Sequence, residues 1–160
     1  MFTIYVRWPV PQTRQDELLK VLENCIGNDP TCTVSLIINE DDELELYIQT
    51  SRMKETARNF PEVLLVDSMY RCNNRKMTLS TVMDMDGNGA GQVVAHALLR
   101  NEHQETLHLF LSKLKELNSA TIQTKLFIVD KDFNEMAVLR ELWPDAEVFV
   151  CLFHVLKSLK

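Results

Sequence analysis

The sequence predicts an α/β protein built on a mixed five-stranded sheet with flanking helices. Two apolar runs, residues 63–67 (VLLVD) and 125–130 (KLFIVD), have the length of buried strands, and each ends in an aspartate. The order of elements after residue 61 is three strands, a helix, a strand, a helix, a strand and the start of another helix, which is typical of one α/β layer structure. We expect this sheet to be truncated at its C-terminal end.

A lead-in segment, residues 1–61, precedes this core. Residues 13–24 have helical apolar spacing, with Thr13 and Asp16 as a capping pair. The runs CTVSLII and LELYIQT flank the acidic stretch 39–43, which predicts an antiparallel hairpin with a solvated tip rather than a charged site. Residues 51–59 predict a short helix. We therefore divide the chain into a lead-in, 1–61, and a core domain, 62–160.

The core elements follow in order. Residues 63–67, 75–84 and 92–99 predict an antiparallel meander, with the turn sequence DGNG at 86–89. Residues 105–118 predict the clearest amphipathic helix. The strand KLFIVD, a helix that ends before Pro144, the strand EVFVCLF and a helix from residue 154 complete the chain. This is also the strand and helix order of ribonuclease-H-like folds.

Composition limits the function classes. The 160 residues carry a net charge of -6, and neither the part before Pro61 nor the part after it is basic, which argues against strong autonomous binding to DNA or RNA. The four cysteines form no CxxC pair, and the N-terminus does not resemble a signal peptide, so we expect a reducing, intracellular compartment. No apolar run is long enough for a bilayer, and no membrane partner is expected.

The two strand-end aspartates, Asp67 and Asp130, are the candidate site. If their strands are neighbours, the carboxylates converge, and paired hard oxygen ligands are what magnesium needs to bridge phosphate oxygens. The alternative, that each aspartate only opens a turn or caps a helix, stays open. Asp132 is set aside because it forms a D-x-x-E capping box with Glu135.

Four blocks carry a family resemblance: DSMYRCN at 67–73, ALLRNEHQETLHLFL at 97–111, IVDKDFNEMAVLRELWPDA at 128–146 and CLFHVLKSL at 151–159. In this order they resemble the MULE (Mutator-like) transposase domain. More closely they resemble the RNase-H-like domain of zinc finger SWIM domain-containing proteins, of the type-three-like branch, which derive from such transposases. The resemblance covers residues 62–160 well and residues 28–61 more weakly.

The resemblance implies that Asp67 and Asp130 are the first two acids of a DDE triad that holds Mg²⁺ or Mn²⁺, and that the third acid, a glutamate in a later helix, is absent from the chain. Tyr70 and Asn73 match the loop after the first aspartate, although Met69 replaces its usual threonine. In the same loop Arg71, Arg75 and Lys76 form a basic cluster that could meet a phosphate backbone or only solvate the turn.

Cys151 and His154 match the family's Cys-x-x-His block. A buried thiol with an orienting histidine and a zinc ligand pair are both open interpretations of this block, but two further zinc ligands have no obvious source. The SWIM finger needs a Cys-x-Cys and a Cys-x-His pair, which do not occur here. Zinc is therefore expected only in a finger outside this chain.

The sequence thus favours a domesticated, transposase-derived domain of a larger intracellular and nuclear protein, without turnover as this fragment. One alternative is an active DDE transposase or nuclease in the full-length protein, with DNA as its partner. The other is a protein-interaction module that keeps a relic acidic site and binds a protein partner.

Overall fold

The computed structural model describes residues 3–4, 12–38, 44–74, 76–130 and 132–159. These residues form an α/β fold around one eight-stranded sheet, in the order β1-β2-β3-β6-β5-β4-β7-β8. The α/β class and the ribonuclease-H-like arrangement predicted from the sequence are confirmed.

The strands and helices have well-defined bounds. The strands are β1 (Thr3–Ile4), β2 (Thr33–Ile38), β3 (Leu44–Gln49), β4 (Val63–Met69), β5 (Thr78–Met85), β6 (Gly91–Leu99), β7 (Leu126–Val129) and β8 (Glu147–Val150). The helices are α1 (Gln12–Asn28), α2 (Ser51–Asn59), α3 (Gln104–Leu117), α4 (Phe133–Leu142) and α5 (Leu152–Ser158), with a 3-10 turn at Ser119–Gln123.

Five strands form the predicted core. β4, β5 and β6 pair antiparallel as a meander, and β7 then adds to the other side of β4 in parallel. β8 pairs in parallel with β7. The meander is possible because each turn is short, whereas each parallel pair needs a crossover, which α3 and α4 supply. β4 is therefore the central strand of the core.

The hairpin of the lead-in segment corrects the predicted five-stranded sheet. β3 pairs antiparallel with the free edge of β6, and β1 pairs in parallel with β2, so the sheet has eight strands in the described residues. An unpaired edge of β6 would leave a row of open backbone donors and acceptors, which the hairpin satisfies. The predicted hairpin tip, residues 39–43, lies outside the described residues, and the division at residue 61 stays a prediction.

The last predicted strand, EVFVCLF, is too long by three residues. The ladder between β7 and β8 ends at the pair Val129 and Val150, because β7 itself ends there. The Cys151 N–H still donates to the Val129 carbonyl at 2.7 Å, but α5 begins at Leu152. Helix α5 thus starts at the same sheet edge at which Asp130 follows β7.

The main core lies between the sheet and one layer of helices. Buried residues of β4 to β7 alternate with half-buried ones, and the buried set packs against α2, α3 and α4. Phe127 meets the ring of Trp143 with centroids 5.0 Å apart, and the Trp143 indole N–H donates to the Thr121 carbonyl at 2.8 Å. A smaller cluster around Leu22 and Leu46 packs α1 on the opposite face of the hairpin.

A buried amide pair joins the hairpin to the core. The Gln49 side chain donates to Asn118 Oδ1 at 2.8 Å and to the Val94 carbonyl at 3.0 Å. Asn118 in turn donates to the Leu114 carbonyl at 2.8 Å. Because both amides are buried and bonded, the hairpin is fixed against the end of α3. In the described part of the chain, no helix is long and apolar enough to cross a membrane.

Candidate functional site

Asp67 and Asp130 lie side by side at one edge of the sheet. β4 and β7 are parallel neighbours whose register pairs Val66 with Val129, so the two following residues are the aspartates. Their side chains are 53% and 39% exposed. The carboxyl ends of parallel strands meet at the same sheet edge, which is where α/β proteins place their ligands. The expected adjacency of the two strands is therefore present, whereas the role of the two aspartates as a metal site stays a prediction.

His154 lies between the two aspartates. Its Nε2 is 3.8 Å from Asp67 Oδ1, and its Nδ1 is 3.6 Å from Asp130 Oδ1. The Cys151 backbone bond to Val129 places the first turn of α5 next to the end of β7, and His154 is then three residues along the chain. The imidazole thus faces both carboxylates, one from each ring nitrogen.

Further acids line a small cleft beside Asp130 on the helix side of the sheet. The lining consists of Ser68, Tyr70, Glu102, Leu107, Asp130, Asp132 and Glu135. Asp67 and Ser68 are successive strand residues and point to opposite faces, so Asp67 lies outside this lining. One carboxylate oxygen of Glu102 is buried and has no hydrogen-bond partner. The edge of the sheet therefore carries five acidic side chains.

Glu135 is the most buried of these acids, and the predicted capping box is wrong for it. Asp132 does cap α4, because its carboxylate accepts from the N–H groups of Asn134 at 2.7 Å and Glu135 at 3.1 Å. The Asp132 N–H donates instead to the Asp130 carbonyl at 2.8 Å, so Glu135 does not return the bond. Its side chain is 4% exposed and makes no hydrogen bond to another described residue.

The crowding of acids changes their protonation. Burial, together with the negative charges of Asp132, Glu102 and the two candidate aspartates, raises the pKa of Glu135 to about 8. Burial also raises the pKa of the Glu102 carboxyl above its usual range. The pKa of the Tyr70 hydroxyl is raised by burial and by its hydrogen bond to Glu102. Glu135 is consequently neutral at pH 7.

The loop after β4 depends on Asn73. Its side chain accepts from the Met77 N–H at 3.2 Å, its carbonyl accepts from the Lys76 N–H at 2.9 Å, and the Cys72 N–H donates to the Met77 carbonyl. Arg71 and Lys76 both adopt positive φ, 54° and 59°, which this tight loop imposes. Both are exposed, Arg75 lies outside the described residues, and the contact of this cluster with phosphate stays a prediction.

Sequence reasoning did not predict that Glu102 and Glu135 line the cleft beside Asp130. It also did not predict that His154 contacts both aspartates. A usable signal existed for Glu135. It stands first in the helical series 135, 138, 139 and 142, whose other members are valine and leucine, so it lies on the apolar stripe of α4. A glutamate on such a stripe indicates a buried carboxyl. The Cys-x-x-His block singled out His154, but it did not predict the contacts with the aspartates, because these depend on where α5 begins.

The residues fit one hydrated divalent cation better than two. Magnesium is commonly held by one or two carboxylates and several waters, and Asp67 and Asp130 would supply the carboxylates. Within the described ranges, no three His, Cys, Asp or Glu side chains are gathered closely enough to hold an ion. This finding also leaves Cys151 and His154 without the partners that a zinc site requires, and Cys151 is a free thiol at the start of α5.

Comparison with known proteins agrees with the fold. The family model described as "Zinc finger SWIM domain-containing protein 1/3, RNaseH-like domain" matches residues 23–149. Uncharacterized protein ZSWIM9 is 26% identical in both mouse and human, over 89% of this chain. Protein FAR-RED IMPAIRED RESPONSE 1 of Arabidopsis thaliana is 23% identical, also over 89% of the chain.

The chain spans only part of these relatives: 33% of mouse ZSWIM9, 23% of human ZSWIM9 and 17% of the Arabidopsis protein. The matched residues include β4, β7 and all of β8 except Val150, and therefore both candidate aspartates. The family match and these relatives confirm the resemblance stated from the sequence. The chain belongs to the RNaseH-like domain family of zinc finger SWIM domain-containing proteins 1/3.

Proposed function

We propose that this chain is a domesticated transposase-derived domain that keeps the fold and the aspartate pair of a DDE nuclease but does not turn over DNA as this fragment. Asp67 and Asp130 hold one divalent cation, Mg²⁺ or Mn²⁺, weakly. The full-length protein is intracellular and nuclear in this proposal, which rests on the resemblance to transposases. Any DNA contact is supplied by parts of the full-length protein outside this chain.

One observation carries the proposal. Asp67 and Asp130 are adjacent and in register, yet the side chain that meets both is the imidazole of His154 and not a third carboxylate. Hydrolysis or strand transfer on phosphate needs charge stabilisation of both the attacking and the leaving oxygen. Two aspartates anchor one hydrated ion, so only one of these two oxygens has a cation that stabilises its charge. The pair therefore supports binding without turnover.

A protein-interaction role is the second candidate, and exposed apolar side chains favour it. Five of them lie on β8, on α5 and at the residue that follows α5, and each is at least half exposed: Phe149, Leu152, Phe153, Leu156 and Leu159. Contiguous exposed apolar surface on a globular protein commonly marks an interaction site. The two candidates are compatible, because none of these five apolar side chains belongs to the aspartate pair.

A plasmid-nicking assay with Mg²⁺ or Mn²⁺ tests the proposal. The parent chain, Asp67→Asn and Asp130→Asn should all leave supercoiled plasmid intact. Asp145→Asn is the matched control, because Asp145 is an exposed acid at the opposite end of the parallel strands, before β8. Nicking by the parent and by Asp145→Asn that both site variants abolish would contradict the proposal. It would mean that Glu102 or Glu135 completes a working site.

A further inference from the structure

His154 fills the gap between the candidate aspartates without being hydrogen-bonded to either of them. Both nitrogen to oxygen distances, 3.6 and 3.8 Å, exceed hydrogen-bonding range, and Nδ1 is buried without a hydrogen-bond partner. The ring of Phe153 meets the imidazole edge-on with centroids 5.4 Å apart. The imidazole is thus placed by α5 and not by directional bonds to the carboxylates.

Helix α5 is attached weakly to the rest of the fold. It has seven residues, and none of them is buried. Its first turn is tied to the sheet by the Cys151 N–H, which donates to the Val129 carbonyl at 2.7 Å. Elements with few buried apolar contacts open at low free-energy cost. A rotation about Cys151 therefore moves His154 without unpacking the core between the sheet, α3 and α4.

We propose that His154 is a removable plug of the aspartate pair: its imidazole occupies the position that a divalent cation held by both Asp67 and Asp130 would take, and it must swing out with α5 before the cation binds. This inference rests on the proposed cation site. It makes His154 an occluding side chain and not a ligand, since its two nitrogens face different carboxylates and cannot both point at one ion between them.

The strength of the His154 contacts determines how much cation affinity should change when the imidazole is removed. Displacement loses two partly exposed contacts with carboxylates, and such contacts are individually weak. Removing the imidazole should then tighten cation binding by about fivefold, which corresponds to about 1 kcal/mol. A ligand would act in the opposite direction, because its removal weakens binding.

Titration of the 160-residue chain with Mn²⁺, followed by electron paramagnetic resonance of the free ion, measures this directly. His154→Ala should bind Mn²⁺ about fivefold more tightly than the parent. His108→Ala is the matched control, because His108 makes a similar partly exposed contact with Glu141 at 3.3 Å, outside the cleft. It should leave the affinity unchanged. Asp130→Asn should abolish binding in both the parent and the His154→Ala background.

A second readout separates the plug from the cation site. In proton-nitrogen correlation spectra without metal, the ring signals of His154 should shift in both Asp67→Asn and Asp130→Asn, and those of His108 should not. An unchanged or weakened Mn²⁺ affinity in His154→Ala overturns the plug. His154 ring signals that stay unshifted in both Asp67→Asn and Asp130→Asn overturn it as well. Absence of Mn²⁺ binding in every variant overturns the cation site and the plug together, whereas binding by the parent with silent ring signals overturns the plug alone.

Discussion

Glu135→Gln should stabilise the protein at neutral pH. The Glu135 side chain is 4% exposed, has no hydrogen bond to another described residue, and shares its cleft with Asp132 and Glu102. Keeping a carboxyl in such surroundings favours the neutral form and raises its pKa from 4.5 to about 8. Glutamine keeps the shape of the neutral carboxyl and has no charge to remove.

The size of the stabilisation by Glu135→Gln follows from the thermodynamic linkage between folding and the protonation of Glu135. Because the pKa of the folded state is raised, the stability that Glu135 contributes is fully present below about pH 4.5 and is lost progressively as the pH rises towards 8. At pH 7 the loss is about 3 kcal/mol, from about 1.4 kcal/mol for each pH unit above the unfolded value. In a chain of this length that corresponds to roughly 6–12 °C in Tm.

Urea unfolding, followed by circular dichroism at pH 4.5 and pH 7, measures the effect. The gain of Glu135→Gln over the parent should be about 3 kcal/mol at pH 7 and small at pH 4.5. Glu141→Gln is the control on the same helix. Glu141 is exposed and, among the residues that the structure describes, pairs with His108, so its change should stay below about 1 kcal/mol. Equal or lower stability of Glu135→Gln at pH 7 would refute the assignment of a buried, unpaired carboxyl.

Three further results are expected. Asp84→Asn should stabilise the chain at pH 7 by up to about 3 kcal/mol and not below pH 4, because Asp84 is fully buried and this burial, with the charge of Asp86, raises its pKa to about 6. Asn118→Ala should cost about 2 kcal/mol or more in urea unfolding, because it leaves the Gln49 amide buried and under-bonded. Fluorescence anisotropy at physiological salt should show no sub-micromolar affinity for duplex DNA, since the net charge is -6.

Each of these results has an outcome against it. Equal gains of Asp84→Asn at pH 4 and pH 7 would show that the substitution acts through packing and not through charge. An unchanged stability of Asn118→Ala would show that water satisfies the Gln49 amide. Tight DNA binding that weakens with added salt would reveal a basic surface that the described residues do not show.

The core of the fold could be predicted because its signals are local. The runs at 63–67 and 125–130 contain strands of the predicted kind, although β4 continues beyond Asp67 to Met69 and β7 is limited to Leu126–Val129. Helix α2 spans the predicted residues 51–59. Its N-terminus is marked by Thr50, whose hydroxyl accepts from the Met53 N–H at 3.3 Å. The spacing of apolar residues and the capping residues each determine a single helix or strand, so both can be read from one sequence.

The remaining features depend on long-range contacts. The pairing of β3 with β6 joins residues about fifty positions apart, and the sequence of neither strand indicates which strand it will pair with. The end of β8 is set by the length of β7 and not by the apolar run that continues through Phe153. For the same reason the site could be predicted only as the pair Asp67 and Asp130. The place of His154 follows from the position at which α5 begins.

The number of Mn²⁺ ions that the chain binds tests the central claim most directly. Calorimetric titration of the parent should show one weak site, which Asp67→Asn and Asp130→Asn each abolish and Asp145→Asn preserves, because two adjacent aspartates anchor one hydrated ion. Two ions bound by the parent, with both lost in Asp130→Asn, would contradict the claim. That result would show that the acids at this sheet edge form a complete two-metal site and that the domain retains the ligands for turnover.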